Sequence, residues 1–318
     1  MKKTFLYLVI ITLFFGCSDA PKGHLILVKP TAENNFNFPY FLFIPDNVSH
    51  GENTFLVVEP NNSGFADDDL QKHINKAQRT ATKDFYIGNY VAQHFKYPLL
   101  VPVFPRPKSN WKMYTNALDR DVMLQKNSTL ERIDLQMLTM VKDARARLVT
   151  QNIQTNDKFL LTGFSASGTF ANRFTVLHPE NVFAVAAGGL NGLLFLPLDS
   201  LLGEALNYPQ GTNDFKKLTN SPFNKKAFLE TPQFYFMGEL DDNDAVPYDD
   251  AFDENERQQI FRLLGKEMHA QRWEKCKNLY KKEHVNAIVK TFKNTGHEHP
   301  EDIKNEIVTF FQDKIFVP

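Results

Sequence analysis

Three short stretches carry residue types suited to nucleophilic chemistry. In Gly163-Phe164-Ser165-Ala166-Ser167-Gly168 a serine stands where an apolar run, residues 159–161, enters a helical pattern, residues 169–178. Strand, tight turn and helix in that order form an elbow that lifts the serine side chain clear at the carboxyl end of the strand. A serine hydroxyl is a weak nucleophile until a positioned base takes its proton. Two later stretches supply candidates for that base and for the group that orients it. Gly238-Glu239-Leu240-Asp241-Asp242-Asn243-Asp244 follows one predicted strand, residues 233–237. Asn294-Thr295-Gly296-His297-Glu298-His299-Pro300 follows the last, residues 286–292.

Within these stretches His297 is the candidate base, with His299 as its rival two residues on. Asp241 is the candidate orienting acid, with Asp242 and Asp244 as alternatives. The backbone N–H of Ala166, directly after the serine, is one candidate donor to a developing oxyanion. Catalysis by this set requires Ser165 and His297 to come within hydrogen-bonding distance.

The order serine, acid, histidine, with Gly-x-x-Asp after one strand and Gly-His after the last, is similar to the pattern of the α/β-hydrolase superfamily. The elbow and the downstream Leu177-His178-Pro179-Glu180 resemble the branch containing polyhydroxybutyrate-depolymerase-like and feruloyl-esterase-like proteins. In element order the resemblance runs from about residue 53 to residue 315. It implies a serine hydrolase that works through an acyl-enzyme on a small-molecule or polymeric ester, with Ser165, Asp241 and His297 as a triad and no cofactor. It also implies a second oxyanion donor, Asn61 or Asn62, where Glu59-Pro60-Asn61-Asn62-Ser63-Gly64 replaces the usual His-Gly-Gly run. The chain departs from the pattern twice. Ser167 stands where the elbow has its second glycine, and two extra residues precede Val246-Pro247, which resembles the pair that usually follows the acid. A serine peptidase of the same fold is the alternative. A non-catalytic envelope protein that binds a glycan or peptide on this fold is the other.

The chain has 318 residues, of which 42% are hydrophobic, and a formal net charge of -1. That length allows one large α/β domain. The near-neutral balance gives no electrostatic case for a nucleic-acid partner. The 29 phenylalanines read mostly as core, and the 9 histidines are too scattered for a metal site. His297 and His299 are too closely spaced for the helical zinc motif. Lys2, Lys3, the apolar run 5–15 and Gly16-Cys17 look like a bacterial lipoprotein signal. Residues 1–16 are then removed, Cys17 is lipidated, residues 17–23 form a tether, and the protein sits at the cell envelope. Cys276 is left alone in a charged helical stretch with nothing to make it a nucleophile.

The remaining residues, 24–318, read as a single domain that positions these groups. Strands are predicted at 24–29, 38–44, 54–58, 99–104, 159–161, 182–187, 233–237 and 286–292. Helices are predicted at 68–94, 130–150, 169–178, 253–282 and 300–315. In the second of these, Ile133, Met137, Met140, Val141, Ala144 and Leu148 share one face. Alternating strands and helices, with several strands apolar throughout, predict a mainly parallel sheet covered on both faces. Residues 106–126 read as a long loop, from which Trp111, Tyr114 and Arg120 either line a substrate pocket or pack locally. Residues 190–231, rich in leucine, read as a lid or insertion. Nothing in the sequence speaks to oligomeric state.

Overall fold

The computed structural model describes residues 22–31 and 33–316. The signal segment, Cys17 and most of the tether lie outside the described residues.

The chain begins with β1 (Gly23–Val28), β2 (Tyr40–Pro45) and β3 (Val57–Val58), then α1 (Leu70–Thr82), α2 (Ile87–Phe95) and β4 (Leu99–Pro102). A short α3 (Arg120–Met123) and the long α4 (Ile133–Val149) precede β5 (Phe159–Phe164), α5 (Ala166–Leu177) and β6 (Val182–Gly188). A small hairpin of β7 (Ser200–Leu201) and β8 (Glu204–Ala205) follows, with α6 (Phe215–Thr219) and α7 (Lys225–Glu230). The chain then runs through β9 (Gln233–Gly238), α8 (Glu254–Leu263), α9 (Glu274–Lys282), β10 (Ala287–Phe292) and α10 (Glu301–Phe316).

Eight of these strands form one sheet in the order β1-β2-β4-β3-β5-β6-β9-β10. β2 pairs antiparallel with both of its neighbours, and every pairing from β4 to β10 is parallel. Parallel strands are buried on both faces, so their sequences are apolar without alternation. β5 shows this directly: Phe159 and Leu161 enter one core layer with α4 and α5, and Leu160 enters the other with α1, α2 and α10. All six residues of the predicted α4 face are buried. The expected α/β architecture is the one found.

Three predicted elements differ in detail. The helix at 68–94 is two helices, because Lys83 and Tyr86 take extended backbone and turn the chain between them. Both pack on the same sheet face, so the apolar spacing carries across the break. The helix at 253–282 stops at Leu263; Gly265 has φ 108°, and a π-helical turn, Met268–Trp273, leads into α9. The loop at 106–126 contains a 3-10 turn, Thr115–Ala117, and α3, which Asp119 caps by accepting from the Val122 N–H at 2.9 Å.

Candidate active site

Because β3, β5, β6, β9 and β10 are parallel, the turns that follow them share the carboxyl edge of the sheet. The turn after β5 carries Ser165 at φ 60° and ψ -126°, a backbone geometry that costs an L-residue on the order of 1–3 kcal/mol. The surroundings hold it there. The Ser165 N–H donates to the Gly188 carbonyl at 2.9 Å. Ser167 Oγ donates to the Phe164 carbonyl at 2.9 Å and accepts from the Phe164 N–H at 3.0 Å. The serine at the second glycine position is thus part of the turn's own bonding. Close backbone approach falls to Gly163, where a Cβ would overlap the Ser167 carbonyl, and to Gly168, where it would overlap that of Gly188. Ala166 opens α5, so its N–H has no partner within the helix and stands at the positive end of the helix dipole.

The turns after β9 and β10 are bonded to each other. The Glu239 N–H donates to Phe292 O and the Leu240 N–H to Thr295 O, both at 2.8 Å. Gly238 lies against this second turn, leaving no room for a Cβ beside the Thr295 and Gly296 carbonyls. This contact sets Asp241 against His297, whose Nδ1 lies 2.9 Å from Oδ2 and 3.0 Å from Oδ1. The Asp241 side chain is 1% exposed and that of His297 24%. A carboxylate only accepts, so Nδ1 carries the proton and Nε2 keeps its lone pair. The rivals make other contacts. His299 packs against Phe164 and Phe85, its buried Nδ1 has no partner, and burial pushes its pKa down to about 4. Asp242 is exposed, and Asp244 pairs with Arg272.

Ser165 and His297 line a common cavity of 260 Å³, yet Ser165 Oγ makes no hydrogen bond among the described residues. His297 Nε2 instead lies 3.2 Å from Asn243 Nδ2, which donates to it. Ser165 also opens onto a second cavity of 460 Å³, lined in part by Trp111, Tyr114 and Asn243. Arg120 is turned away from both and pairs with Asp214 at 2.7 Å. From the 190–231 segment, Asn191 reaches the second cavity, while Leu190, Leu194 and Leu196 are buried in the core. Cys276 is buried far from this chemistry in character, its thiol pushed up to about 11 by desolvation.

The loop after β3 is tightly tied. Asn61 Nδ2 donates to the Phe104 carbonyl at 2.9 Å and Oδ1 accepts from its N–H at 2.8 Å, fixing the loop to the end of β4. Ser63 Oγ is bonded to His73 Nδ1 at 2.5 Å. Asn62, not Asn61, lines the cavity beside Ser165. Two residues that sequence reasoning passed over also belong here. Asn243 lies in the two-residue excess after the acid. Arg173 lies eight residues beyond Ser165 in an otherwise uncharged helix and lines the larger cavity.

No family model matches the sequence, and no match is found among curated proteins. Solved structures do match. A poly(aspartic acid) hydrolase-1 from Sphingomonas sp. KT-1 superposes with a TM-score of 0.59 at 17% identity, covering 92% of this chain and 98% of its own. A poly(3-hydroxybutyrate) depolymerase from Bordetella parapertussis gives 0.54 at 16% identity, covering 92% of this chain and 90% of its own. An S-formylglutathione hydrolase from Agrobacterium tumefaciens gives 0.50 at 13%, covering 93% of this chain and 96% of its own. With the strand order and the elbow after β5, these likenesses identify the architecture: the chain has the α/β-hydrolase fold.

Proposed function

We propose that the chain is a serine hydrolase of carboxylic esters, with Ser165 as nucleophile, His297 as base and Asp241 as the group that orients the base. The observation that carries this reading is the Asp241–His297 contact, which leaves Nε2 as an acceptor on a ring that shares a cavity with a serine held in a strained elbow. In the reaction His297 takes the Ser165 proton as Oγ attacks the ester carbonyl. The backbone N–H groups of Ala166 and Asn62 receive the developing oxyanion, each donor contributing roughly a hundred- to a thousandfold in rate. Protonated His297 then gives its proton to the leaving alkoxide. A water activated by His297 hydrolyses the acyl-enzyme and restores the serine. Asp241 stabilises the imidazolium throughout and keeps its own charge.

Two of the similar structures are named for polymer hydrolysis, one of an ester and one of an amide, and a polymeric ester is a substrate to set beside small ones. We also propose that lipidation of Cys17 holds the enzyme at the bacterial envelope. Detergent partitioning of the full chain against a Cys17→Ala variant tests that anchor; equal partitioning would refute it.

The test of function is hydrolysis of p-nitrophenyl butyrate by the soluble chain beside its Ser165→Ala variant. Turnover that disappears in the folded variant is the expected result. The non-catalytic reading is favoured by one observation, the occupation of Nε2 by Asn243 in place of Ser165. Inertness of both proteins would favour it further.

A further inference from the structure

Arg173 follows Thr169 by four on α5, so the two share a face, and both line a cavity with Ser165. It is 5% exposed. Its side chain makes one hydrogen bond, from Nη1 to the Ala117 carbonyl at 2.9 Å, and no ion pair among the described residues. Its guanidinium centre lies 5.7 Å from the Phe252 ring, which covers it. The remaining nitrogens are not sealed in, since none is both buried and unpartnered, and the residue lines the 460 Å³ cavity with Ser165.

The other arginines near this cavity are neutralised. Arg106 pairs with Asp250, Arg257 with Asp249 and Arg272 with Asp244. Asp119 and Glu256, whose charges also act on Arg173, do not bond to it: Asp119 accepts from the backbone N–H groups of Tyr114 and Val122, and Glu256 from that of Asp253. A desolvated cation without a carboxylate is costly unless something else compensates it. Here the uncompensated donors open where substrate must lie.

We propose that Arg173 is the receptor for an anionic group on the substrate, so that the preferred esters carry a carboxylate on the acyl side. Eight residues rise about 12 Å along a helix, and an arginine leaning back toward the N-terminus covers about half of that. The anion is then roughly three or four bonds from the carbonyl that Ser165 attacks, the spacing of a glutarate half-ester. The serine-hydrolase reading enters only in placing that carbonyl.

The test separates the two readings. Calorimetry with the Ser165→Ala protein, which needs no turnover, should show saturable binding of glutarate and none of its neutral isostere glutaramide. Adding Arg173→Met should abolish the glutarate signal, and Arg173→Lys, which keeps the charge without the planar fork, should weaken it. In the active protein, mono-p-nitrophenyl glutarate should have a lower KM than p-nitrophenyl butyrate. Arg173→Met should raise the first KM by roughly ten- to hundredfold more than the second. Equal binding of glutarate and glutaramide, or glutarate binding that survives Arg173→Met, would overturn the proposal. So would preference for the 4-aminobutyrate ester, which would give the subsite to the rim carboxylates. If Arg173→Met does not fold, the Lys variant carries the comparison. If no ester turns over while glutarate still binds through Arg173, the esterase reading fails and the anion site stands.

Discussion

Asn243 decides how far the resting site is from a working one. Its amide N–H occupies the lone pair that must accept the Ser165 proton. A neutral hydrogen bond of this kind contributes about 1 kcal/mol, so removing it should release the imidazole at little cost. Asn243→Ala should therefore raise the rate of fluorophosphonate labelling at Ser165 by roughly three- to tenfold. A marked fall would mean that Asn243 orients the ring rather than competing for it. The types and order of Ser165, Asp241 and His297 are visible in the sequence, each after a glycine at the end of an apolar run. The competition at Nε2 is not, because it depends on how two surplus residues fold. Arg173 was hidden for a different reason: a charge in a helix signals nothing until the neighbouring carboxylates are seen to be taken.

At the scale of elements, the site depends on two turns locked side by side. Gly238 carries that lock, since a methyl group there would meet the Thr295 and Gly296 carbonyls. Gly238→Ala should force the turns apart at about 1–3 kcal/mol of stability. The resulting misplacement of Asp241 against His297, on the order of 1 Å, should lower kcat about a hundredfold. Thermal melting and ester hydrolysis of the variant check both parts; a variant that melts and turns over like the parent would contradict the role given to this contact. The elements themselves were legible where apolar period was strong, as in α4 and the parallel strands. They were misread at Lys83–Tyr86, where no glycine or proline marks the break between α1 and α2. The segment after α8 differs: Gly265 marks the break, but the π-helical turn beyond it preserves helical spacing closely enough to pass for continued helix.

Over the whole molecule, two groups in the cavity shared by Ser165 and His297 contribute to stability against pH. Burial holds His299 neutral, its pKa lowered from 6.5 to about 4. The unfolded chain binds this proton before the folded one does, so stability is full above pH 6.5 and is lost as pH falls toward about 4. The loss amounts to about 3 kcal/mol. Glu59, in the same cavity, has the opposite sign. Burial raises its pKa from 4.5 to about 7, so its contribution is present below pH 4.5 and is lost as pH rises through 7. His299→Leu should flatten the acid limb of a denaturation profile, and Glu59→Gln should remove the loss of stability that Glu59 causes between pH 4.5 and 7. Profiles parallel to the parent's in these windows would place the pH dependence elsewhere. Both groups line the cavity that Ser165 and His297 share, which ties the stability of the fold to the shape of the site.

The most direct measurement is mass spectrometry of the soluble chain after reaction with a fluorophosphonate, beside His297→Ala and Asp241→Asn. The expected result is one adduct, on Ser165, formed slowly or not at all in either variant. An unlabelled Ser165 in the folded parent, or labelling indifferent to His297 and Asp241, would contradict a serine hydrolase built from these three residues.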